Sequence, residues 1–274
     1  MPQAGCHRDR CVHAARDPAL RRFVACLGLV DPATGQRWLV DATPDLPSQL
    51  AELDGRAAPP GPPPGLAGIF LTHAHVGHYT GLMFLGREVI GSRQVPVYAR
   101  PRMEKFLRGS GPWNQLIALH NIDLRPLRRE QGVSLVDGLT VTPFLVPHRQ
   151  EYSETVAFRI KGPHRTLAYL PDIDRWEKMD PSIESLLAQV DVAVLDGTFY
   201  SGGELPGRNM DEIPHPTMKD TMRRLAGLPL ELRRRVRFIH LNHTNPALDT
   251  ESDAGRWLRQ AGFLVARQGE QFGL

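Results

Sequence analysis

The chain has 274 residues, 41% of them hydrophobic, which is enough for one sizeable core, and a single domain spanning residues 1–274 is expected. Its 33 basic side chains nearly cancel against 30 acidic ones, and the arginine clusters at 21–22, 128–129 and 233–235 read as solvated faces, so nucleic acid is not an expected partner. Three cysteines in no regular pattern argue against a disulfide framework, and no stretch is long enough to span a bilayer.

In chain order, apolar runs with β-branched residues predict strands near 24–30, 38–41, 68–71, 95–99, 139–147, 155–160, 165–170, 190–195 and 236–241. Helical periodicity falls between them, near 82–89, 101–107, 181–189, 217–225 and 252–261. Residues 57–65, Ala-Ala-Pro-Pro-Gly-Pro-Pro-Pro-Gly, cannot form helix or central strand because proline lacks the amide donor, and they read as a stiff surface connector. Strands in hairpin-like groups separated by helices suit two sheets packed face to face with helices outside. The first thirty residues carry His, Arg and Asp throughout, so no secretory signal is expected and the reading is cytoplasmic, with loss of an earlier targeting segment left open.

The chemistry concentrates in residues 69–81, Ile-Phe-Leu-Thr-His-Ala-His-Val-Gly-His-Tyr-Thr-Gly. Alternate side chains of an extended segment point the same way, so His73 and His75 can meet one cation. His78 sits where an amphipathic stretch begins and would leave toward a neighbouring position, as a two-metal centre requires. Three further apolar runs each end in a metal-ligand type: His148 after 139–147, Asp172 after 167–171 and His243 after 238–242. Strand ends are where α/β proteins gather functional groups. Asp196, after the apolar run 192–195, is a candidate for orienting a ligand histidine. His215, Asn242 and Asn245 are candidates for substrate contact or oxyanion support, and His240 reads as a core residue or one behind the ligands.

These residues resemble the metallo-β-lactamase-fold superfamily, whose pattern is H-x-H-x-D-H followed by a distant His, a bridging Asp and a final His. The resemblance covers most of the chain and implies an α/β (α+β) fold, the four-layer αβ/βα sandwich. It implies one metal on His73, His75 and His148, a second on His78 and His243, and Asp172 bridging the two. Gly77 stands where the superfamily has an aspartate, so the second metal is expected to bind weakly or not at all. The strings 170–173, 191–199 and 239–249 are similar to the pyrroloquinoline quinone biosynthesis protein B family. Typical members have lost much of the first histidine motif that this chain keeps, which marks it as a metal-retaining relative. Cys6 and Cys11 resemble two of the three cysteines of the C-x-C-x-x-C knuckle that holds a structural zinc in that family. Arg8 occupies the middle position and cannot ligate a cation, leaving His215 as a distant candidate to complete the set.

The expected function is that of a metallo-hydrolase using metal-bound hydroxide to cleave an ester, lactone, amide (β-lactams included) or phosphodiester bond of a small molecule. Asp172, His243, Asp196 and His215 are its candidate catalytic residues. The expected cofactor is Zn2+, one or two ions, with iron or manganese as substitutes. The alternative is an iron-dependent oxidase or hydroxylase of quinone-cofactor biosynthesis, and a non-catalytic metal-binding protein is a third reading. A small-molecule substrate is the expected partner, with no membrane and a homodimer as the one assembly considered.

Overall fold

A computed structural model describes residues 1–56 and 66–274; the connector expected at 57–65 lies outside the described residues. The chain divides into two compact units, each with its own sheet and core. Among the described residues no helix is long and apolar enough to cross a membrane.

One unit comprises residues 23–131 and 150–156. Its sheet holds β1 (Leu27–Val30), β2 (Arg37–Val40), β3 (Leu66–Phe70), β4 (Val95–Ala99) and β5 (Ile122–Pro126), in that spatial order. β1 and β2 are antiparallel, and every later pair is parallel. Asp31 turns the first hairpin by accepting from the amides of Ala33 and Thr34. The parallel steps need crossovers, and helices Leu46–Arg56 and Pro101–Gly109 supply two of them. β4 alternates buried Val95, Val97 and Ala99 with half-buried Pro96 and Tyr98, and the Tyr98 ring stacks on Phe70 of β3 at 4.3 Å. Leu39, Ile69, Leu71, Leu82, Met103 and Leu107, all at most 2% exposed, form the centre of this core.

The other unit comprises residues 1–22, 132–149 and 157–274. Its seven-stranded sheet runs β12 (Leu264–Val265), β11 (Val236–Ile239), β10 (Val192–Asp196), β9 (Thr166–Leu170), β8 (Val156–Lys161), β7 (Leu139–Leu145), β6 (Val133–Val136). β9, β10, β11 and β12 are mutually parallel, so the carboxyl ends of β9, β10 and β11 lie at one edge. Three helices start on hydroxyl caps: Ser182, Thr217 and Ser252 accept from the amides of Ser185, Asp220 and Gly255. Each lies within a residue or two of its predicted span.

Two departures from the sequence reading have local causes. The helix expected at 82–89 is a short α-helix, Val76–Tyr79, followed by a 3-10 turn, Thr80–Leu85. The Gly81 amide donates to the Ala42 carbonyl at 2.9 Å, which pulls the backbone onto the segment after β2 and ends the α-helical ladder. β5 escaped notice because it is short and ends in Pro126, tolerable on a strand at the sheet edge.

A Cβ at Gly81 would overlap the Thr43 carbonyl oxygen, whereas one at Gly77 would only touch Val24 Cγ1 at 3.6 Å. Gly81→Ala is therefore expected to cost about 2–3 kcal/mol and roughly 5–10 °C in Tm for a chain of this size. Gly77→Ala should leave Tm unchanged or slightly raised. Thermal denaturation followed by circular dichroism measures both, and equal shifts would count against the close approach at Gly81.

Candidate metal centre

In the first unit the histidine motif begins where β3 ends. The Leu71 amide donates to the Tyr98 carbonyl at 3.0 Å, which keeps the chain extended into His73. His75 then stands at the start of helix Val76–Tyr79, and His78 follows within it. Beneath them lies Asp41, the residue after β2, fully buried and with a left-handed backbone (φ 73°). Its carboxylate accepts from the Thr72 amide at 2.8 Å, the Thr72 hydroxyl at 2.8 Å and His78 Nδ1 at 2.8 Å.

These bonds determine which ring nitrogens carry lone pairs. The Thr72 hydroxyl spends its proton on Asp41, so at 2.9 Å it accepts from His73 Nδ1, and His73 Nε2 is left as a lone-pair donor. His75 Nε2 donates to the Glu151 carboxylate at 3.1 Å, which leaves His75 Nδ1 as its lone-pair atom. His73 Nε2 and His75 Nδ1 lie 2.8 Å apart, so two lone pairs face each other. At that spacing the two nitrogens call for a positive centre between them, a shared proton or a metal ion, and paired imidazoles fit a metal. His78, with Nδ1 given to Asp41, likewise presents Nε2 as a ligand atom.

The second unit repeats the device. Asp196, the last residue of β10 and fully buried, accepts from the amides of Ile173 at 3.0 Å and Thr198 at 2.9 Å, from the Thr198 hydroxyl at 2.8 Å and from His215 Nδ1 at 2.7 Å. Thr198, its proton on Asp196, accepts from His240 Nδ1 at 2.9 Å. Asp174 holds His148 Nδ1 at 2.8 Å. Nε2 of each of these three histidines is thereby a lone-pair atom. Asp172, 3% exposed after β9, turns one oxygen to His148 Nε2 at 3.9 Å and the other to His240 Nε2 at 3.6 Å. Acceptors face acceptors at spacings that admit an ion on each side of one carboxylate. Ligand atoms of His148, Asp172 and His215 all lie within 4.8 Å of one another. Burial, the largest single influence on His215, lowers its pKa; the Asp196 charge and hydrogen bond, with the Asp172 charge, outweigh it, and the net shift is upward.

His243 does not join this group. It was expected beside Asp172, but His240 occupies that position and His243 gathers with Cys6 and Cys11, their ligand atoms within 4.8 Å. The cause is local. His240 leaves β11 with a left-handed backbone (φ 65°), and the chain then folds into a turn in which the Asn245 amide donates to the Asn242 carbonyl at 2.9 Å. Three residues on, His243 faces the amino-terminal segment instead. Its Nδ1 is buried and meets no hydrogen-bond partner among the described residues, and burial, then the charges of Arg8 and the amino terminus, lower its pKa and favour the neutral imidazole that ligates metals. Cys11 is 1% exposed on helix Asp9–Arg16. Two cysteines and a histidine are zinc-type donors and supply three of the four ligands of a closed site. His215, the distant candidate for that set, is engaged with Asp196 instead.

Asn245, fully buried, donates to the Gly197 carbonyl at 2.8 Å and caps the turn Pro246–Leu248, so it builds the framework of this turn. Asn242 donates to Thr244 Oγ1 at 2.6 Å. Five residues that hold these histidines have no motif to mark them as such: Asp41, Thr72, Glu151, Asp174 and Thr198. Asp41 alone carried a signal, an acidic residue ending the run Trp38-Leu39-Val40, of the same kind that marked Asp172.

The donor sets fit Zn2+, and imidazole with carboxylate also suits iron and manganese. The beta-lactamase superfamily domain family matches residues 36–270. The chain is 29% identical over 296 residues to the coenzyme PQQ synthesis protein B of Methylobacterium sp. (strain 4-46), covering 98% of this chain and 94% of that one. It is 30% identical over 303 residues to the protein of the same name from Methylobacterium nodulans, with the same coverage. Among solved structures, zinc-bound PqqB from Methylobacterium extorquens superposes with a TM-score of 0.80 at 23% identity, covering 100% of this chain and 95% of that one. A diphosphatase from the PhnP family gives 0.63 at 23% identity, covering 97% and 89%. At those identities the structures establish the fold. The chain belongs to the beta-lactamase superfamily domain family, with an α/β fold of the metallo-β-lactamase type, in its PqqB-like branch.

Proposed function

We propose that the chain is a metal-dependent hydrolase acting on an ester, lactone, amide or phosphodiester bond of a small molecule. The observation that carries this reading is Asp172, whose two oxygens face the lone-pair nitrogens of His148 and His240 while the His215–Asp196 pair stands alongside. A bound zinc ion supplies Lewis acidity toward a substrate oxygen and makes water nucleophilic near neutral pH. This unit offers His148 and Asp172 as ligands, with His240 Nε2 3.6 Å from Asp172 and His215 in the same cluster, and the other unit offers His73, His75 and His78.

The protein's own groups handle the proton. Asp196 fixes His215 with Nδ1 protonated, so Nε2 is the atom that exchanges a proton with the reacting group. The Asp196 carboxylate on Nδ1 stabilises the ring when Nε2 takes up a proton, which suits a group that passes a proton to a leaving oxygen. His215→Ala is expected to lower turnover of an ester or phosphodiester with an alkyl leaving group by about 100-fold or more, and to affect a p-nitrophenyl substrate far less, since nitrophenolate departs without a proton. Steady-state kinetics on the two substrates provide the check, and equal losses would remove the proton-donor role.

Metal counting tests the ligand assignments. His240→Ala is expected to lose imidazole–carboxylate-bound metal and hydrolytic activity, whereas His243→Ala should lose only the ion held with Cys6 and Cys11, as measured by elemental analysis with parallel assays. If His243→Ala abolished activity while His240→Ala left it intact, the assignment would be reversed. A Cβ at Gly77 meets nothing closer than Val24 Cγ1 at 3.6 Å, and Gly77→Asp is expected to raise the content by about one ion per chain; an unchanged content would remove the explanation that this residue weakens a second site.

A second reading has its own support. The relatives named for coenzyme PQQ synthesis match nearly the whole chain, which favours a step in making that quinone cofactor, and imidazole with carboxylate donors would suit iron and oxygen chemistry in such a step. Iron in the purified protein and oxygen uptake with substrate would favour it; zinc and hydrolysis without oxygen uptake would dispose of it.

A further inference from the structure

Within the histidine motif, orientation is uneven. His73 and His78 are buried and both answer to Asp41, one through Thr72 and one directly. The His75 side chain is 25% exposed and makes its outer bond to Glu151. Glu151 belongs to a segment of the same unit, residues 150–156, that is fastened from two sides. Ser153 Oγ accepts from the Ala74 amide at 2.8 Å, between the two histidines, and the Val156 amide donates to the Thr72 carbonyl at 3.0 Å. From helix Pro101–Gly109, Arg102 donates through its amide to the Glu154 carboxylate at 3.1 Å and through its guanidinium to the Gln150 carbonyl at 2.7 Å. Glu151 is thus held in register with the motif although half its side chain is in water.

We propose that Glu151 is a positioning residue: by accepting the Nε2 proton of His75 it aims His75 Nδ1 at the point faced by His73 Nε2 and so raises metal affinity. The inference rests on the metal-binding reading of the motif. An exposed pair of this kind contributes little to stability. Its effect is directional, because the ring is pinned through Nε2 and cannot turn Nδ1 away. A carboxylate behind a ligand imidazole also raises the basicity of the ligating nitrogen.

The test uses the full chain loaded with cobalt(II), whose d–d bands report an ion held by imidazoles, that on His73 and His75 included, separately from the thiolate charge-transfer band of a Cys-bound ion. Glu151→Ala is expected to weaken the d–d-reported site by about 10- to 100-fold in competition with a chelator, with an unchanged far-UV spectrum. Glu151→Gln keeps an acceptor oxygen and is expected to stay within about threefold of the parent. In metal-free protein, the His75 Nε2 proton should be protected in nitrogen–proton NMR spectra, lost in Glu151→Ala and recovered in Glu151→Gln. Unchanged affinity in Glu151→Ala, or a Gln variant as weak as the Ala variant, overturns the proposal while leaving the metal reading intact. A parent protein with no d–d-reported ion overturns both.

Discussion

Two buried carboxylates organise this molecule. Asp41 and Asp196 are both fully buried, and a carboxylate taken out of water is costly unless its lone pairs are met. Asp41 is met by an amide, a hydroxyl and an imidazole; Asp196 by two amides, a hydroxyl and an imidazole. The satisfaction runs outward as well as inward. Each hydroxyl that donates to its aspartate must accept from the next ring, so each carboxylate commits two imidazoles to one protonation pattern. Asp41 commits His78 directly and His73 through Thr72; Asp196 commits His215 directly and His240 through Thr198. Removing either aspartate would release two ligand-type side chains at once.

The same constraint accounts for two of the left-handed positions in the backbone. Asp41 and His240 both adopt left-handed φ immediately after a strand, a conformation that ordinary residues avoid at a cost of about 1–3 kcal/mol. In each case the turn carries a polar side chain off the end of a buried strand and into a hydrogen-bonded set. The strands behind these residues are anchored by cores that polar chemistry does not enter, Leu39 and Ile69 in one unit and Ala193, Leu195 and Phe238 in the other. Rigid strand ends therefore hold the strain that places the ligands.

Much of this was legible in the sequence for physical reasons. Buried strands read as apolar runs, and a ligand type at the end of such a run is conspicuous, which is why His73, His148 and Asp172 stand out as candidates, with His75 and His78 beside the first. What could not be read is which way a chain turns after the run ends. His240 and His243 both follow Phe238-Ile239, and only the left-handed backbone at His240 decides that it, and not His243, meets Asp172. Thr72 and Thr198 are invisible for another reason: a hydroxyl has no pattern of its own, and its role exists only between two partners distant in sequence. Glu151 is hidden in the same way, 76 positions from His75. The short edge strands β6 and β12 lack the length for a periodicity to register.

The cysteine pair bears on the same turn. Arg10 donates to the Asn245 carbonyl and Arg8 to the Glu204 carbonyl, so the amino-terminal segment is tied to the loop carrying His243 by its side chains as well as by proximity of Cys6 and Cys11. Glu204 in turn accepts from the Thr244 hydroxyl at 3.2 Å, one residue beyond His243. The Asn242 amide donates to the Thr198 carbonyl at 2.9 Å, which joins that turn to the residue relaying Asp196 to His240. A thiol and imidazole cluster at this place thus acts on the same short stretch of chain that sets His240. Thiols with imidazole there, and carboxylate with imidazole around Asp172, are donor sets of different softness. Three residues of separation, His240 to His243, are enough for one turn to serve both because the backbone reverses between them.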